Sequence, residues 1–372
     1  WPCCGNWPVG IRRPWRPPVT GLAGSSSVFR VAAMAPVFGS LSRRQLLQLG
    51  AAAGLLAACR PADGPELLQV EGELPAAWLK QLPGPWRSRA LANPAAVQRA
   101  GFVAGRPGPG LVALSDGWAS GLGRERLQSF GAPRLWARLA PFSAGVSRLF
   151  GPAGTAELAF PWAYSPWVIA LRSRPDLLAR RQQGWSLLLD PSLRGRLVLP
   201  SAPRISLEIV KGDFGQLERL RAQALAYDDR DGLSLLLSGN AEVAVLPLQR
   251  LIPLLRRDQR LAVIWPDSGA PLSWQLLLRP AAPKDLQPAP PPLEWLGAIL
   301  EPPLLEPLLA RGWVPPLPQA VLAPVAHRFP ASMAALLLPG DALLGRCWSL
   351  PPLSLPEQLA QQNLWDAAAP RP

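Results

Sequence analysis

Few side chains of this sequence have the type and spacing that catalysis requires. The 372 residues contain a single histidine, His327, so histidine base chemistry has one candidate and a His-rich metal site is excluded. His327 lies in VLAPVAHRFP, near a Pro-rich end, where a structural or exposed role is favoured over catalysis. No G-x-x-x-x-G-K-S/T phosphate loop and no G-x-S-x-G elbow are present. The residues give no basis for a cofactor.

Two further patterns are better explained by ordinary structure. Gly108-Pro109-Gly110 stands before the apolar run Leu111–Leu114, whereas a dinucleotide fingerprint needs its glycines after the strand, so a Pro-Gly turn is favoured. Asp228, Asp229 and Asp231 could bind a cation, but the EF-hand spacing is absent and a solvated acidic loop is favoured. No metal site is expected.

The charge of the chain is strongly basic but unevenly placed. There are 38 Lys plus Arg against 25 Asp plus Glu, a net charge of +13, and residues 1–58 hold six arginines and no acid. The Arg-rich pieces are not interleaved with aromatic residues as single-strand binders require, so no nucleic-acid partner is expected. The 47 prolines do not imply disorder, because 49% of the residues are hydrophobic.

The amino-terminal region reads as an export signal. Residues 1–33 mix Trp, Pro, Cys and Arg without helical or strand period, and we interpret them as a spurious upstream extension or a disordered tail. Residues 34–58 then resemble a signal peptide. In SRRQLLQ, Arg43 and Arg44 fill the arginine pair of the twin-arginine signal, although its usual closing Lys is Gln48.

An uncharged run and a cysteine complete that signal. The run Leu46–Ala58 is too short to span a bilayer and suits a signal h-region. It ends in Leu-Ala-Ala-Cys59, which resembles a lipobox, where the chain is cut before a cysteine that then carries lipid. The alternative is a short buried Ala/Leu helix with a chance Arg-Arg. Residues 59–66 would then form a tether, and Cys347 would have no disulfide partner.

The rest of the chain alternates short apolar strands with helices. The run Leu111–Leu114 ends in Ser115-Asp116-Gly117-Trp118, and a helix is predicted over residues 119–129. A strand that ends in a polar turn before a helix is where ligands sit in open α/β sheets. A second helix is predicted over residues 206–226. The alternation predicts an α/β fold with two lobes, and residues 351–372 read as a loosely attached tail.

Six segments of the chain carry a family pattern: LVALSDGW, FPWAYSPWVIAL, GWSLLLDPSLRGRLVLP, SGNAEVAVLP, AVIWPDSGAPLSWQLLLRP and EWLGAILEPPLLEPLLARGWVPPLPQAV. In this order they are similar to segments of the extracellular solute-binding proteins of the spermidine/putrescine type, which serve ABC importers. The third, which resembles W-x-D-L-x-x-P-x-x-x-G-x-x-x-L, is the most specific. Together they span roughly residues 105–325.

The resemblance implies a type II periplasmic-binding-protein fold, in which two α/β lobes joined by two crossing strands close on a ligand. The crossings would lie near residues 165 and 270. The first lobe would contain residues 67–165 and 270–300, and the second lobe 166–269 and 301–350. A protein of this kind binds and releases a solute and does no chemistry.

The resemblance also implies a ligand site. Its residues would be Ser115, Asp116, Trp118, Tyr164, Arg204, Trp274 and Gln275. Polyamine ammonium groups need carboxylates and aromatic faces. However, the family's late W-x-D is Ser273-Trp274-Gln275 here, and the acids before Arg204 are lost, so polyamine specificity is weakened. Arg204 could face a carboxylate or another anion, or pair with Glu208 one turn along.

Three functions remain open at the level of sequence. The first is an exported, lipid-anchored solute-binding component of an ABC importer, with a divergent pocket, in the periplasm or cell envelope. Its partners would be a small solute, a permease in the inner membrane, and the membrane itself through Cys59. The second is an envelope scaffold that keeps the fold without a transported ligand. The third, a cytoplasmic nucleic-acid binder, requires the region from Arg43 to Cys59 to be accidental.

Overall fold

The computed structural model describes residues 64–103, 108–151, 156–228, 231–283 and 287–370. The predicted extension 1–33, the pair Arg43 and Arg44, and Cys59 lie outside the described residues.

The described strands join in one mixed sheet. Their bounds are Glu66–Val70 (β1), Arg87–Leu91 (β2), Leu111–Ser115 (β3), Ala159–Arg172 (β4), Leu197–Leu199 (β5), Ala224–Tyr227 (β6), Val243–Pro247 (β7), Leu261–Ile264 (β8), Pro271–Leu278 (β9) and Trp348–Ser349 (β10). The order is β2-β1-β3-β9-β4-β7-β5-β6, with β8 on β4 and β10 on β9. Strands β2, β1 and β3 are parallel, whereas β9 is antiparallel to both β3 and β4.

Strand β4 belongs to both halves of this sheet. From Ala159 to Pro166 it pairs with β9, and from Trp167 onward it pairs with β7 and then β8. The chain returns to the first half between Ile264, where β8 ends, and Pro271, where β9 begins. The sheet therefore has two halves, the first and second lobes, which are joined by β4 and by the segment between β8 and β9.

The second-lobe core follows the two-residue period of its strands. Along β4, Val168 and Ala170 face one hydrophobic cluster, while Ile169 and Leu171 face the other. Alternation of side chains across a pleated strand produces this division. Both faces of this half-sheet are thus covered, as the near-continuous apolar sequence of the strand indicates.

The first-lobe core contains a pair of tryptophans far apart in sequence. The rings of Trp78 and Trp295 stack with centroids 4.2 Å apart and planes 10° from parallel. Each indole N–H donates to the backbone carbonyl of the other residue, at 2.7 and 2.8 Å. Both side chains are buried, so the pair satisfies its own polar groups within an apolar core.

Helices are numerous and mostly short. Their bounds are Ala76–Leu79 (α1), Pro94–Gly101 (α2), Asp116–Ala119 (α3), Pro133–Trp136 (α4), Ala144–Ser147 (α5), Pro175–Ala179 (α6), Pro203–Ile209 (α7), Phe214–Gln223 (α8), Gly232–Ser238 (α9), Ile252–Leu255 (α10), Leu293–Ala298 (α11), Pro302–Ala310 (α12), Gln319–Ala326 (α13), Ala331–Leu337 (α14), Asp341–Leu344 (α15) and Leu355–Ala367 (α16). Short 3₁₀ segments occur at residues 124–126, 141–143, 181–189, 191–193 and 248–250.

The predicted helix over residues 119–129 is wrong. The helix begins at Asp116, directly after β3, and ends at Ala119. Gly121 and Gly123 follow it. Glycine is among the worst helix formers, so these residues do not extend α3.

The predicted helix over residues 206–226 is two helices and a strand. Lys211 and Gly212 adopt positive φ angles of 52° and 71°, which end α7. The side chain of Asp213 accepts a hydrogen bond from the backbone N–H of Gln216 at 2.7 Å and caps α8. The break leaves α7 as a separate element beside the crossing region.

The carboxyl-terminal segment is folded rather than loosely attached, which corrects the predicted tail from residue 351. We call residues 345–368 the C-terminal arm. Within it, Ser354 and Glu357 form a capping box at the start of α16. Trp365 and Ala368 are buried in the second-lobe core. The guanidinium of Arg221 lies 4.2 Å from the centroid of the Trp365 ring.

Candidate functional site

The predicted ligand residues converge at the carboxyl end of β3. Ser115, its last residue, lies opposite Gln275 on β9. Tyr164 on β4 lies opposite Trp274 on the other side of β9. The three adjacent strands β3, β9 and β4 therefore bring these four positions to one place, although the first and the last of them are 160 residues apart in sequence.

An aromatic cluster forms one wall of the site. The rings of Tyr164 and Trp274 have centroids 5.3 Å apart, and Phe142 contacts both, at 5.3 and 5.6 Å. Sequence reasoning missed Phe142, which stands in a 3₁₀ turn at residues 141–143 with no motif around it. Burial raises the pKa of Tyr164 well above its usual range, so its phenol stays protonated.

Asp116 is the buried acid of the site. It is 6% exposed, and its Oδ1 accepts a hydrogen bond from the backbone N–H of Gly117 at 3.0 Å. Desolvation raises the pKa of Asp116 to about 7. Backbone hydrogen bonds from Trp274 and Gly117, and the charge of Arg204, oppose that rise without cancelling it. The carboxyl therefore titrates near neutral pH.

Arg204 approaches the site from the second lobe. It stands in the first turn of α7, and its Nη2 donates to the backbone carbonyl of Pro351 at 2.5 Å. Its Nε is buried and has no hydrogen-bond partner. Desolvation lowers the pKa of Arg204, and the nearby charge of Glu208 offsets part of the effect. The group remains a cation with one unused buried donor.

Glu208 is engaged by the arm and not by an ion pair with Arg204. Its Oε2 accepts a hydrogen bond from Nε1 of Trp348 at 3.1 Å. In the part of the chain that the structure describes, no ion pair joins it to Arg204. The two side chains interact through their charges alone.

Trp118 stands apart from the aromatic cluster. It is half-buried in α3 and packs against the first-lobe core. Its backbone carbonyl accepts a hydrogen bond from Nε2 of Gln98 at 2.9 Å. Between described residues, no ring contact joins it to Tyr164 or Trp274.

The C-terminal arm covers the site. Nε1 of Trp274 donates to Oγ of Ser349 at 2.9 Å. Trp274 is fully buried, and Tyr164 and Gln275 are 3% and 7% exposed. Two surface cavities, of about 500 and 430 Å³, lie elsewhere, beside α12 and beside α10. The candidate site is thus closed over and not an open cleft.

Other residues that the sequence singles out lie away from this site. His327 caps the end of α13 and is exposed, as expected. Asp228 accepts a hydrogen bond from the backbone of Asp231 at 3.0 Å, in a surface turn. Among the described residues, no group of three or more His, Cys, Asp or Glu side chains could hold a metal ion.

Hydropathy adds one observation. Within residues 64–370, apart from the four short gaps, no helix is long and apolar enough to cross a membrane.

Known structures match this chain closely in fold. No family model and no curated protein sequence matches it. An ABC transporter substrate-binding protein from Bradyrhizobium japonicum is 15% identical over 82% of this chain and 98% of its own, with a TM-score of 0.61. The spermidine/putrescine substrate-binding protein PotD from Streptococcus pneumoniae is 11% identical over 82% and 98%, with a TM-score of 0.60.

A third similar structure is that of a lipoprotein. The TpPotD lipoprotein of Treponema pallidum is 14% identical over 82% of this chain and 99% of its own, with a TM-score of 0.57. At such identities the likeness shows the fold, which is the type II periplasmic-binding-protein fold that the sequence predicts.

Proposed function

We propose that this chain is the exported, lipid-anchored solute-binding component of an ABC importer, of the polyamine type but with a divergent pocket. One observation carries the proposal: Asp116, hydrogen-bonded to the backbone of Trp274 in the first lobe, lies at the carboxyl end of β3, where the charge of Arg204 from the second lobe acts on it. This is the edge at which open α/β sheets bind ligands. A solute held there touches both lobes and so favours their closure.

The charges of the site favour a solute with oxygen acceptors over a polyamine. Asp116 is the only acid among the predicted ligand residues, and with a pKa of about 7 it is only partly ionised at neutral pH. A desolvated ammonium group would therefore be poorly paired. The unused Nε of Arg204 and the indole N–H of Trp274 offer donors instead. We expect a small carboxylate-bearing solute that packs against the aromatic cluster.

The side-chain chemistry of Arg204 suits a carboxylate in particular. Elsewhere in this protein, Arg89 and Arg260 each direct Nε and Nη2 to the two oxygens of one carboxylate. Arg204 has the same two groups on the same edge, with Nη2 on a carbonyl oxygen and Nε on nothing. A carboxylate would satisfy both donors at once.

Export and anchoring rest on the sequence. Arg43, Arg44 and the apolar run fit a twin-arginine signal, and Cys59 fits a lipobox. We propose that the mature chain begins at an acylated Cys59, faces the periplasm or cell envelope, and delivers its solute to a permease in the inner membrane. The mass of the amino-terminal peptide of the mature protein tests this, because an unmodified Cys59 in a longer chain would contradict it.

Isothermal titration tests the ligand proposal. Succinate should bind, and spermidine and putrescine should bind at least tenfold more weakly. Arg204→Gln should weaken succinate at least tenfold, because a charge-assisted bidentate contact is lost. The matched control is Arg89→Gln, which breaks an exposed ion pair with Glu66 far from the site and should leave binding unchanged. If none of the three solutes binds, transport of such solutes is refuted.

The second candidate function is the envelope scaffold. The observation that favours it is the burial of Trp274 and Tyr164 under the C-terminal arm, since a protein that no longer binds solute gains stability from a filled cleft. Small-angle scattering separates the two functions. A scaffold should keep one closed shape in every solute, whereas a binding protein should populate an open shape that solute converts to the closed one.

A further inference from the structure

Strand β10 of the C-terminal arm pairs with the part of β9 that lies beyond the end of β3. Leu272 on β9 pairs with Pro166 of β4 on one side and with Ser349 on the other. On that second side, β3 pairs with the later residues of β9, from Gln275 to Leu278. Strand β3 ends at Ser115, opposite Gln275. The arm therefore lies at the carboxyl end of β3, in the place where a solute would sit.

Side chains of the arm hold both lobes at once. Ser349 accepts from Trp274 on β9, in the first lobe. Trp348 donates to Glu208, and the carbonyl of Pro351 accepts from Arg204, both on α7 in the second lobe. These contacts form only while the lobes are together, so they stabilise the closed arrangement against the open one.

The arm also contacts the crossing segment between β8 and β9. The backbone N–H of Trp348 donates to the carbonyl of Ala270 at 3.2 Å. Gly269, with φ of +91°, lies so close to Arg346 that a Cβ there would come within 2.0 Å of the Arg346 carbonyl oxygen. Trp185 of the second lobe donates to the carbonyl of Gly269 at 3.0 Å. The arm is thus packed against the segment through which the chain passes from the second lobe to the first.

The two ends of the arm are held very differently. Its far end, α16, is anchored in the second-lobe core by Trp365 and capped by Ser354. Its near end pairs with β9 through the two-residue β10, makes a few hydrogen bonds with a net stabilisation of roughly 0.5–1.5 kcal/mol each, and buries one leucine, Leu350, in the second-lobe core. Pro351 and Pro352 between the two ends are exposed. Release of the near end therefore costs these bonds and the burial of Leu350, while α16 keeps its own anchor.

We propose that the near end of the C-terminal arm, residues 347–352, is a built-in competitor for the solute: it latches the two lobes closed over the solute site and must leave before a solute enters. The proposal rests on the proposed function for the identity of the site, and its tests need no ligand. Displacement by a carboxylate would satisfy the Nε of Arg204, which the single carbonyl of Pro351 leaves unpaired.

Hydrogen exchange measured by mass spectrometry on the full chain tests the latch. Ser349→Ala removes the acceptor of Trp274 and should raise exchange about fivefold in residues 271–275 and 203–209 together, because both lobes are released by one opening. Trp348→Ala/Ser349→Ala should raise it at least tenfold and increase the radius of gyration. The matched control is Leu359→Ala on the exposed face of α16, which should change neither.

A second set of amides distinguishes opening of the lobes from unfolding of the protein. Amides of β1 and β3 should keep their protection in every variant, which shows that the first lobe is intact. A reversible lock gives a second measurement: Leu272→Cys/Ser349→Cys, in a Cys347→Ser background, joins two residues that pair in the sheet. Oxidation should suppress opening, and reduction should restore it. The latch is refuted if exchange rises in the arm alone, or if the lock has no effect.

Failure of the latch proposal and failure of the proposed function would give different experimental results. If succinate binds the wild type and Ser349→Ala with equal affinity, the latch is wrong and the binding function stands. If releasing the arm opens the lobes but no solute binds, the latch stands and the transport function falls.

Discussion

The two tryptophan clusters of the first lobe differ in what accepts the hydrogen bonds of their buried indole N–H groups. Trp78 and Trp295 bury two indoles and pair both N–H groups with each other's backbone. Trp274 is buried just as fully, but its N–H is paired by Ser349 of the C-terminal arm. Beside it lie an acid with a raised pKa and an arginine with an unpaired Nε.

The difference separates a structural cluster from a functional one. A buried polar group that is satisfied by its own core only adds stability. A buried polar group that is satisfied by a detachable segment can exchange that partner for a ligand, and so links binding to conformation. The predictions that follow compare the two clusters, beginning with the largest expected effect.

Trp78→Ala should destabilise the protein by about 3–5 kcal/mol, because it leaves a large cavity in the core and removes the indole that stacks on Trp295 and donates to its backbone carbonyl. Urea unfolding monitored by circular dichroism measures the loss. Hydrogen exchange at residues 271–275 should keep its wild-type ratio to that at 203–209. A change in that ratio would show that the two clusters are coupled.

Asp116 should make stability depend on pH. Below its ordinary pKa of 3.8 the carboxyl is neutral in the folded and unfolded chains alike. Between pH 4 and 7 the unfolded chain loses this proton first, so the folded state holds more protons and stability falls as the pH rises. A shift to about 7 corresponds to a loss of about 4 kcal/mol.

Asp116→Asn tests that dependence directly. The amide cannot ionise, so the decline of unfolding free energy between pH 4 and 7 should be reduced by the same amount. Urea titrations at pH 4, 5.5 and 7 measure it. Equal slopes in the variant and the wild type would show that Asp116 is already charged in the folded protein.

Tryptophan-to-phenylalanine substitutions should distinguish the two clusters most clearly. Trp295→Phe should cost about 2–3 kcal/mol, because it removes a buried hydrogen bond to the Trp78 carbonyl, which keeps its bond from the Gln81 N–H, and shrinks a ring stacked in the core. Trp274→Phe should cost about 1 kcal/mol, because the Ser349 hydroxyl is only half-buried and can find water once the arm moves. Thermal unfolding of both variants measures the difference. Equal losses would place Trp274 with the structural cluster.

Arg204→Met should have the smallest effect on stability, about 1 kcal/mol or less in either direction, because a desolvated charge with an unpaired Nε is exchanged for apolar atoms. It should also raise the pKa of Asp116 further, since the charge of Arg204 opposes the rise. The pH profile of stability measures this as a shift to higher pH. A shift to lower pH would contradict it.

The fold could be predicted because the apolar patterns that indicate its strands lie within short segments of the sequence. The strand in FPWAYSPWVIAL is a continuous apolar run with a two-residue alternation of core faces, and the structure makes it β4. The family resemblance assigns positions 115, 164, 274 and 275 to one site, and the register of β3, β9 and β4 brings these four positions together.

The missing parts of the site depend on contacts that no local pattern records. Phe142 reaches the site from a 3₁₀ turn, and Pro351 reaches Arg204 across 147 residues. The arm is rich in proline and lacks helical period before residue 355, so its sequence resembles that of an unattached tail. Its position comes from a free side of β9, which only the assembled sheet creates.

The placement of β9 between β3 and β4 constrains how the chain is made. Until residues 271–278 have been synthesised, β3 and β4 cannot be joined, and each presents an open edge. The second-lobe strands from β5 to β8 emerge during that interval, so the first lobe must wait for an inserted unit to be completed. Such non-local pairing slows folding, and exposed edges invite pairing with other chains. A nascent chain halted before residue 271 should therefore be the form most prone to aggregate.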